Sequence, residues 1–434
     1  MKFRKILIEG DPALGRLELN LLKPGTNMPY NTVIFVGENG CGKSKLLMKL
    51  SKFIDYANHD TSFKEVEYEQ RENIFLLEKR MLGNQDWNYE YILHNRITNI
   101  AQSLWHLEDD FPTDADPRRH LPINLFLYQE RPSESEDNIK SILRRMKVLQ
   151  EKDCINYAYY NITHTDDQLS WADFYRRQSK MYRFSKVLNQ FFDNLRYLGI
   201  ITDSDEYISF TKFQEEINAW DLSSGEKQMI AHLIPILENM DEEQDNLLLV
   251  DEPELSLHPK WQAKIIDFYK SLFVNADGVQ CNQMFVATHS THLLKAALQN
   301  PSDTLLIKLK NEAGHIEATN IQKPVFLHDI TYAEINYIVF DIATPEYHNQ
   351  LYCEIQNRFH KAKVKASDTF ITSHESYDAR IHRKISSYGN VNYETICTYI
   401  RNSTDHYENG NTFTEDELRC SITLMQNILR NHSN

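Results

Sequence analysis

The chain has 434 residues, with 47 Lys and Arg against 62 Asp and Glu, a formal net charge of −15 and a mean hydropathy of −0.54. That length holds about three domains, and apolar and charged fractions of 41% and 25% are those of an ordinary soluble globular chain. The acidic balance excludes a broadly basic nucleic-acid-binding surface, though it says nothing of a local basic groove, and no apolar run is long enough to span a bilayer.

Residues 1–7 run straight into an acidic, strand-like segment and lack the apolar core and cleavage site of a signal peptide. The six cysteines, at 41, 154, 281, 353, 397 and 420, form no C-x-x-C pair. That suits a reducing cytoplasm and gives neither a zinc site nor a disulfide framework. Leu17, Leu19 and Leu21 alternate with polar residues, which predicts an antiparallel strand covered on one face. The apolar run 32–36 predicts a buried strand. It is followed by Gly37-Glu38-Asn39-Gly40-Cys41-Gly42-Lys43-Ser44, and then by a helix with apolar Leu46, Leu47, Leu50, Phe53 and Ile54. This is the strand–loop–helix context that G-x-x-x-x-G-K-[ST] requires. Glycines 37, 40 and 42 let the backbone curl, so that the N–H groups of residues 37–44 point at phosphate oxygens. Lys43 supplies a point charge to the β- and γ-phosphates, the Ser44 hydroxyl can ligate Mg²⁺, and the helix N-terminus adds a favourable dipole. The nucleotide expected is ATP, with Mg²⁺.

Residues 51–204 are rich in Tyr, Phe, Asn, Arg and Glu, with few glycines and interruptions near 109–117 and 131–136. The reading is a mainly helical insertion, a lid or docking platform, too short and too poor in heptads for a coiled coil. Arg144, Arg145, Arg176, Arg177 and the run 175–186 suit contact with nucleic acid or a partner, and equally an ordinary solvated helical face.

Residues 205–323 return to the nucleotide-binding pattern, which with residues 1–50 completes an α/β head. Ser223-Ser224-Gly225 open a helix through Met229, Ile230, Leu233 and Ile234. A small-residue turn on a helix N-terminus is an anion receptor. The loop at 37–44 already surrounds the phosphates of its own nucleotide, so this second receptor needs a second subunit, and a head-to-tail dimer with two shared ATP sites follows. Residues 247–250 are apolar, as in a strand covered on both faces, and Asp251 and Glu252 stand at its carboxyl end, where ligands of open α/β sheets bind. Asp251 is expected to hold Mg²⁺ through water and Glu252 to polarise the attacking water. Pro259 starts a helix carrying Trp261, Ile265, Ile266, Phe268, Tyr269, Leu272 and Phe273. His289 follows the apolar strand 284–287 and is placed to reach a γ-phosphate. His292 lies three residues on without further ligands at metal-site spacing.

Residues 324–434 form a helical C-terminal domain, with Tyr393, Ile396, Cys397 and Ile400 at helical spacing and a capping box at Thr414 and Glu417 before a last helix.

Taken together, the phosphate loop, Leu222-Ser223-Ser224-Gly225-Glu226-Lys227-Gln228, the Asp251-Glu252 strand end and Ala287-Thr288-His289-Ser290 resemble the ABC-type ATPases of the SMC, RecF and OLD class. Asp251-Glu252-Pro253-Glu254-Leu255-Ser256-Leu257-His258-Pro259 is similar to the form found in the RecF/OLD-like ATPases of bacterial repair and phage defence. The resemblance spans roughly 1–50 and 205–310. It implies an ABC-type P-loop head with a mixed sheet and antiparallel leading strands. It also implies a loop at His258-Pro259 facing the partner's site, and a glutamine that senses Mg²⁺ and the attacking water. Gln129, after the apolar run 125–128, suits that last role, the alternative being a loop glutamine of no consequence.

Arg401-Asn402-Ser403-Thr404-Asp405-His406 resembles the R-N-x-x-x-H element of HEPN-type domains, helical modules common among bacterial ribonuclease toxins. The resemblance implies metal-free RNA cleavage, with His406 as general acid or base and Arg401 stabilising the phosphate charge. Five residues of ideal helix turn about 500°, leaving the two about 140° apart, so one tail aims them poorly and a pair across a dimer axis would be needed. The structural alternative has Asn402 and His406 cap a helix end while Arg401 pairs with Asp405. The expected function is an ATPase that dimerises around two ATP and acts as the switch of a Septu-like anti-phage system, controlling a nuclease effector encoded nearby. A self-contained toxin with a ribonuclease tail and a RecF-like repair ATPase that senses nucleic acid are the alternatives.

Overall fold

The computed structural model describes residues 1–54, 62–70, 72–82, 89–104, 123–127, 136–202, 206–239, 246–274, 280, 282–299, 303–312, 314–321, 326–388, 391–406 and 410–430. The chain divides into two units, one of Met1–Leu293 with Ser302–Ile321 and one of Leu294–Pro301 with Gln322–Asn434.

The first unit begins with an antiparallel sheet of β1 (Lys2–Asp11), β2 (Gly15–Asn20), β4 (Phe63–Gln70), β5 (Asn73–Met81), β6 (Tyr89–Asn95) and β7 (Ile100–Leu104), ordered β2-β1-β4-β5-β6-β7. A second sheet holds β3 (Thr32–Val36), β8 (Ile123–Leu127), β12 (Asn246–Asp251), β13 (Asn282–Thr288), β14 (Thr304–Glu312) and β15 (His315–Ile321). Its order is β15-β14-β3-β13-β12-β8, parallel throughout except for β15, which runs antiparallel to β14. Strands β3 and β13 are buried along their whole length, and β12 along all but its last residue. That is why they read as unbroken apolar runs. Helix α1 (Lys43–Ile54) puts Leu46, Leu47, Leu50 and Phe53 into one core with Phe3, Ile6, Val66, Tyr68 and Phe285. The Phe53 ring lies 5.6 Å from Phe3 and 5.0 Å from Phe63. Buried Gln283 is fully satisfied as a stitch between the sheets: it accepts from the Phe3 N–H at 2.7 Å and donates to the Phe3 and Tyr30 carbonyls, each at 2.9 Å.

The stretch 51–204 departs from the expected helical insertion. Its first half supplies β4 to β8. In β4 the buried Phe63, Val66, Tyr68 and Gln70 are separated by Lys64, Glu65, Glu67 and Glu69. That is mostly a period of two, the mark of a half-covered strand, and β4 pairs with β1 and extends its sheet. Helices α2 (Glu136–Thr163), α3 (Trp171–Gln178) and α4 (Lys180–Phe191) fill the second half. Asp153 of α2 caps α4, accepting from Ser179 Oγ and from the N–H groups of Lys180 and Met181. Then come the small sheet of β9 (Leu195–Ile201), β10 (Tyr207–Lys212) and β11 (Glu215–Asn218), and α5 (Ser224–Asn239). The helix expected from Pro259 is two, α6 (Pro259–Gln262) and α7 (Ile265–Leu272), and α8 (Thr291–Gln299) follows β13.

The second unit contains α9 (Tyr332–Phe340), α10 (Pro345–Arg358), α11 (Val364–Ser373), α12 (Ala379–His382), α13 (Ile396–Asp405) and α14 (Glu415–Arg430). It is not wholly helical, because β16 (Arg383–Tyr388) and β17 (Val391–Thr395) form a hairpin. Leu351, Ile355, Ile400, Ile422, Met425 and Ile428 share its core. Fully buried His348 meets the Ser421 hydroxyl at 2.9 Å through Nε2, joining α10 to α14. Thr414 and Glu417 form the reciprocal cap of α14, at 3.2 and 2.9 Å. Among the described residues no helix is long and apolar enough to cross a membrane.

Candidate functional site

The site lies at the carboxyl ends of β3, β12 and β13. The loop between β3 and α1 makes its turns through glycines with φ of +147° at Gly37, +81° at Gly40 and +94° at Gly42. A Cβ at Gly37 would fall 2.2 Å from the Leu309 carbonyl oxygen, and one at Gly42 would fall 2.4 Å from Ile316 Cδ1, whereas Gly40 has open space. The loop is thus set by neighbouring strands as well as by its own dihedral angles. Lys43 is buried, and its ammonium donates to the carbonyls of Gly37 and Glu38, each at 3.0 Å, with Cys41 Sγ at 3.6 Å.

Ser44, in the first turn of α1, is hydrogen-bonded to Asp251 at the end of β12. Burial raises the Asp251 carboxyl above its ordinary range; the Ser44 bond opposes this and the charge of Glu252 adds to it. Its Oδ1 is buried without a hydrogen-bond partner. A hydroxyl and a carboxylate with one orphaned oxygen suit a hard cation that keeps most of its water. Among the described residues no group of three or more His, Cys, Asp and Glu is placed to hold a metal. The Ser44 hydroxyl and the Asp251 carboxylate are donors of the kind that fit a Mg²⁺ keeping several waters.

Glu252 has φ of +47°, and its N–H donates to the Ala287 carbonyl at 2.8 Å, a bond from the end of β12 to β13. That geometry turns its carboxylate toward His289, whose Nε2 lies 3.3 Å from Oε1. Burial holds the His289 imidazole below its ordinary pKa; the nearby Lys43 charge adds to this and Asp251 opposes it. A neutral ring follows at pH 7, and with its proton on Nε2 it donates to Glu252.

Ser223, Ser224 and Gly225 open α5, the two serines exposed and the glycine buried. A Cβ at Gly225 would lie 2.8 Å from the Ser256 carbonyl, so this helix start presses on the loop after β12. The turn is held by Glu226, a residue of the quoted motif to which the resemblance alone assigns no role. Its Oε2 accepts from Ser223 N–H and Oγ, each at 2.8 Å, and pairs with Lys212 at 2.9 Å. The signal was present, since Ser223-x-x-Glu226 is a capping box. Glu254, a member of the Asp251–Pro259 motif with no role legible in the sequence, accepts from Thr288, His289 and Ser290 around the His289 turn. His258 is exposed and caps α6 through Nδ1. Gln129 lies outside the described residues.

Lys43, Ser44, Asp251, Glu252 and His289 come together; Arg401 and His406 belong to the other unit. Arg401 pairs with Asp405 at 2.8 Å and donates to Asn402 Oδ1 at 2.9 Å. His406 closes α13, with its N–H on the Asn402 carbonyl at 3.0 Å. Among the basic residues of the insertion, Arg145 grips Glu238 of α5 with two nitrogens, and Lys180 donates to the Glu238 carbonyl at 3.2 Å.

A family model described as "AAA domain, putative AbiEii toxin, Type IV TA system" matches residues 33–295, more than half of the chain and the whole of this site. The chain belongs to that AAA-domain family. Among characterised relatives, this AAA-domain chain is similar to "Septu protein PtuA" of Bacillus thuringiensis, 23% identical over 323 residues that cover 68% of this chain and 74% of that protein. Solved structures with partial likeness to it include an SMC head bound to the C-terminal winged-helix domain of ScpA, at 13% identity and TM-score 0.41, covering 74% of this chain and 98% of that one. The SMC head domain of Thermotoga maritima matches at 13% identity and TM-score 0.38, covering 74% and 99%. The α/β head of the AAA-domain chain is described by its own strand order and phosphate loop.

Proposed function

We propose that this chain is an ATPase that dimerises head-to-tail around two ATP molecules and switches a nuclease partner in an anti-phage defence system. One observation carries the hydrolytic part: Asp251, Glu252 and His289 stand at neighbouring strand ends beside Lys43 and Ser44, with Asp251 Oδ1 buried and unpartnered. In this reading the N–H groups of residues 37–44 cradle the β- and γ-phosphates. Lys43 exchanges its two loop carbonyls for phosphate oxygens, and Ser44 and Asp251 hold Mg²⁺. The metal, when bound, supplies positive charge to the phosphoryl oxygens. Glu252 orients the attacking water and receives its proton, while neutral His289 holds Glu252 and faces the γ-phosphate. Ser223 and Ser224, exposed on α5, are the receptor for the partner subunit's nucleotide. The defence role is supported by the similarity to the Septu protein.

The test is Glu252→Gln, which keeps the shape of the site and removes the base. ATP should bind, hydrolysis should fall by about 100-fold or more, and the trapped dimer should appear in light scattering with ATP and not with ADP. A monomer at saturating ATP would count against the dimer, and turnover at the wild-type rate would count against Glu252 as the base. For the defence role, co-purification from the native gene neighbourhood should yield a nuclease. A self-contained ribonuclease tail ranks second because Arg401 is already engaged by Asp405 and Asn402.

A further inference from the structure

Glu254 follows Pro253 in the loop after β12, and the residue is only 8% exposed. A carboxylate so deep needs donors, and its Oε1 takes three from one turn at the end of β13, while its Oε2 is buried without a hydrogen-bond partner. Its Oε1 accepts from Thr288 Oγ1 at 2.6 Å, from His289 N–H at 2.7 Å and from Ser290 N–H at 3.1 Å. Ser290 Oγ donates onward to Gln262 Oε1 at 2.6 Å and accepts from the Leu293 N–H at 3.1 Å, which starts α8. Gln262 Nε2 then donates to the Leu257 carbonyl at 3.0 Å, and the Leu257 N–H returns to the Glu254 carbonyl at 3.0 Å. The ring of bonds is closed. It runs from the loop after β12 to the His289 turn, to α6, and back.

Two consequences meet at this ring. Two successive N–H groups of the His289 turn converge on one carboxyl oxygen, with the Thr288 hydroxyl shared between that oxygen and the Ser290 N–H, so the direction of the imidazole toward Glu252 depends on Glu254. Ser256, in the same loop with φ of +60°, presents the carbonyl against which Gly225 packs. A shift at the start of α5 therefore bears on the loop that carries Glu254. We propose that Glu254 is a positioning residue: it aims His289 at Glu252 and at the γ-phosphate, and ties that aim to the Ser223–Gly225 receptor of the same chain. This rests on the hydrolytic reading of the site and adds to it a route from one nucleotide's receptor to the other nucleotide's sensor.

Substitution by Gln preserves the accepting oxygen and the length, Asp withdraws it by one methylene, and Ala removes it. ATP affinity, kcat and KM are to be measured for these variants, for His289→Ala and for the double variant Glu254→Ala/His289→Ala, each with a thermal melt. Glu254→Ala and Glu254→Asp should lose about 10- to 100-fold in kcat, as misaimed catalytic groups do, with ATP affinity within about threefold. Glu254→Gln should stay within about threefold of wild type. The double variant should be no slower than His289→Ala, because a residue that acts through another adds nothing once that other is gone. Should the Ala and Asp variants fail to fold, Thr288→Val, which deletes one donor to the same oxygen, should lower kcat by about threefold without changing ATP affinity. Wild-type turnover by any folded Ala or Asp variant, losses that multiply in the double variant, or a Thr288→Val enzyme with unchanged kcat would overturn the proposal. Absence of turnover in the wild-type protein would instead remove the hydrolytic reading beneath it.

Discussion

Lys43 is the one cation of the set, and it is buried against the carbonyls of its own loop. Its ammonium has to leave two carbonyl acceptors for phosphate oxygens, which sets a requirement on charge and reach together. Lys43→Ala is expected to bring ATP binding to the detection limit in equilibrium titration while the melting temperature moves little, since the loop is also held by packing at Gly37 and Gly42. Unchanged affinity would dismiss the loop as the phosphate site. At this scale the sequence is most informative: Lys43 and Ser44 follow from the loop motif, and Asp251, Glu252 and His289 from strand ends, because a parallel sheet delivers its carboxyl ends to one edge. Glu254 had no such signal. A carboxylate whose work is to hold a backbone turn looks, in a string of letters, like any surface charge.

At the scale of elements, α10 and α14 are joined by a buried histidine. Burial pushes His348 down to about 4, whereas an unfolded chain titrates it near its ordinary 6.5. The unfolded state thus binds the extra proton first. The His348 contribution to stability is complete above about pH 6.5 and is lost progressively as pH falls toward about 4, by up to about 1.4 kcal/mol per pH unit. His232, half-buried in α5 and also lowered to about 4 by desolvation, works in the same direction. Urea melts between pH 7 and 4.5 should show this slope, and His348→Gln should reduce it; a flat profile in the wild type would contradict it. The element that sequence reasoning misplaced was β4 and its neighbours. There the weight of Glu, Tyr and Phe suits a helical surface, whereas the alternation from Phe63 to Gln70 has the period of a strand. Periodicity, not composition, marks the element there. The capping box at Thr414, a fixed short-range pattern, carried its own geometry and was legible.

Two expectations belong to the whole molecule. If the Ser223–Gly225 receptor serves a partner's nucleotide, Ser224→Arg should fold, bind ATP and fail to hydrolyse it. Mixed with Lys43→Ala it should regain activity, since each heterodimer then holds one intact composite site; a mixture no faster than the sum of its components would defeat the shared-site arrangement. The second unit makes a contrasting case. With Arg401 held by Asp405 and His406 at the end of α13, His406→Ala should lower the melting temperature by a few degrees while leaving ATPase rate and phage protection in place. A stable, ATPase-active variant that no longer protects cells would return the tail to consideration as a nuclease.

The glycines of the phosphate loop keep their identity for unequal reasons. At 37 and 42 a methyl group would strike Leu309 or Ile316, whatever the loop binds, while at 40 only the backbone angle objects, and Asn or Asp can adopt that angle. A descendant of this chain that had abandoned nucleotide would still be compelled to keep two of the three, and its loop would go on looking functional long after the chemistry had lapsed. In such a lineage the glycines are scars of packing. Decay would show first at Asp251, whose Oδ1 the fold leaves buried and unpartnered, and that position, more than the loop pattern, separates a working site from a relic.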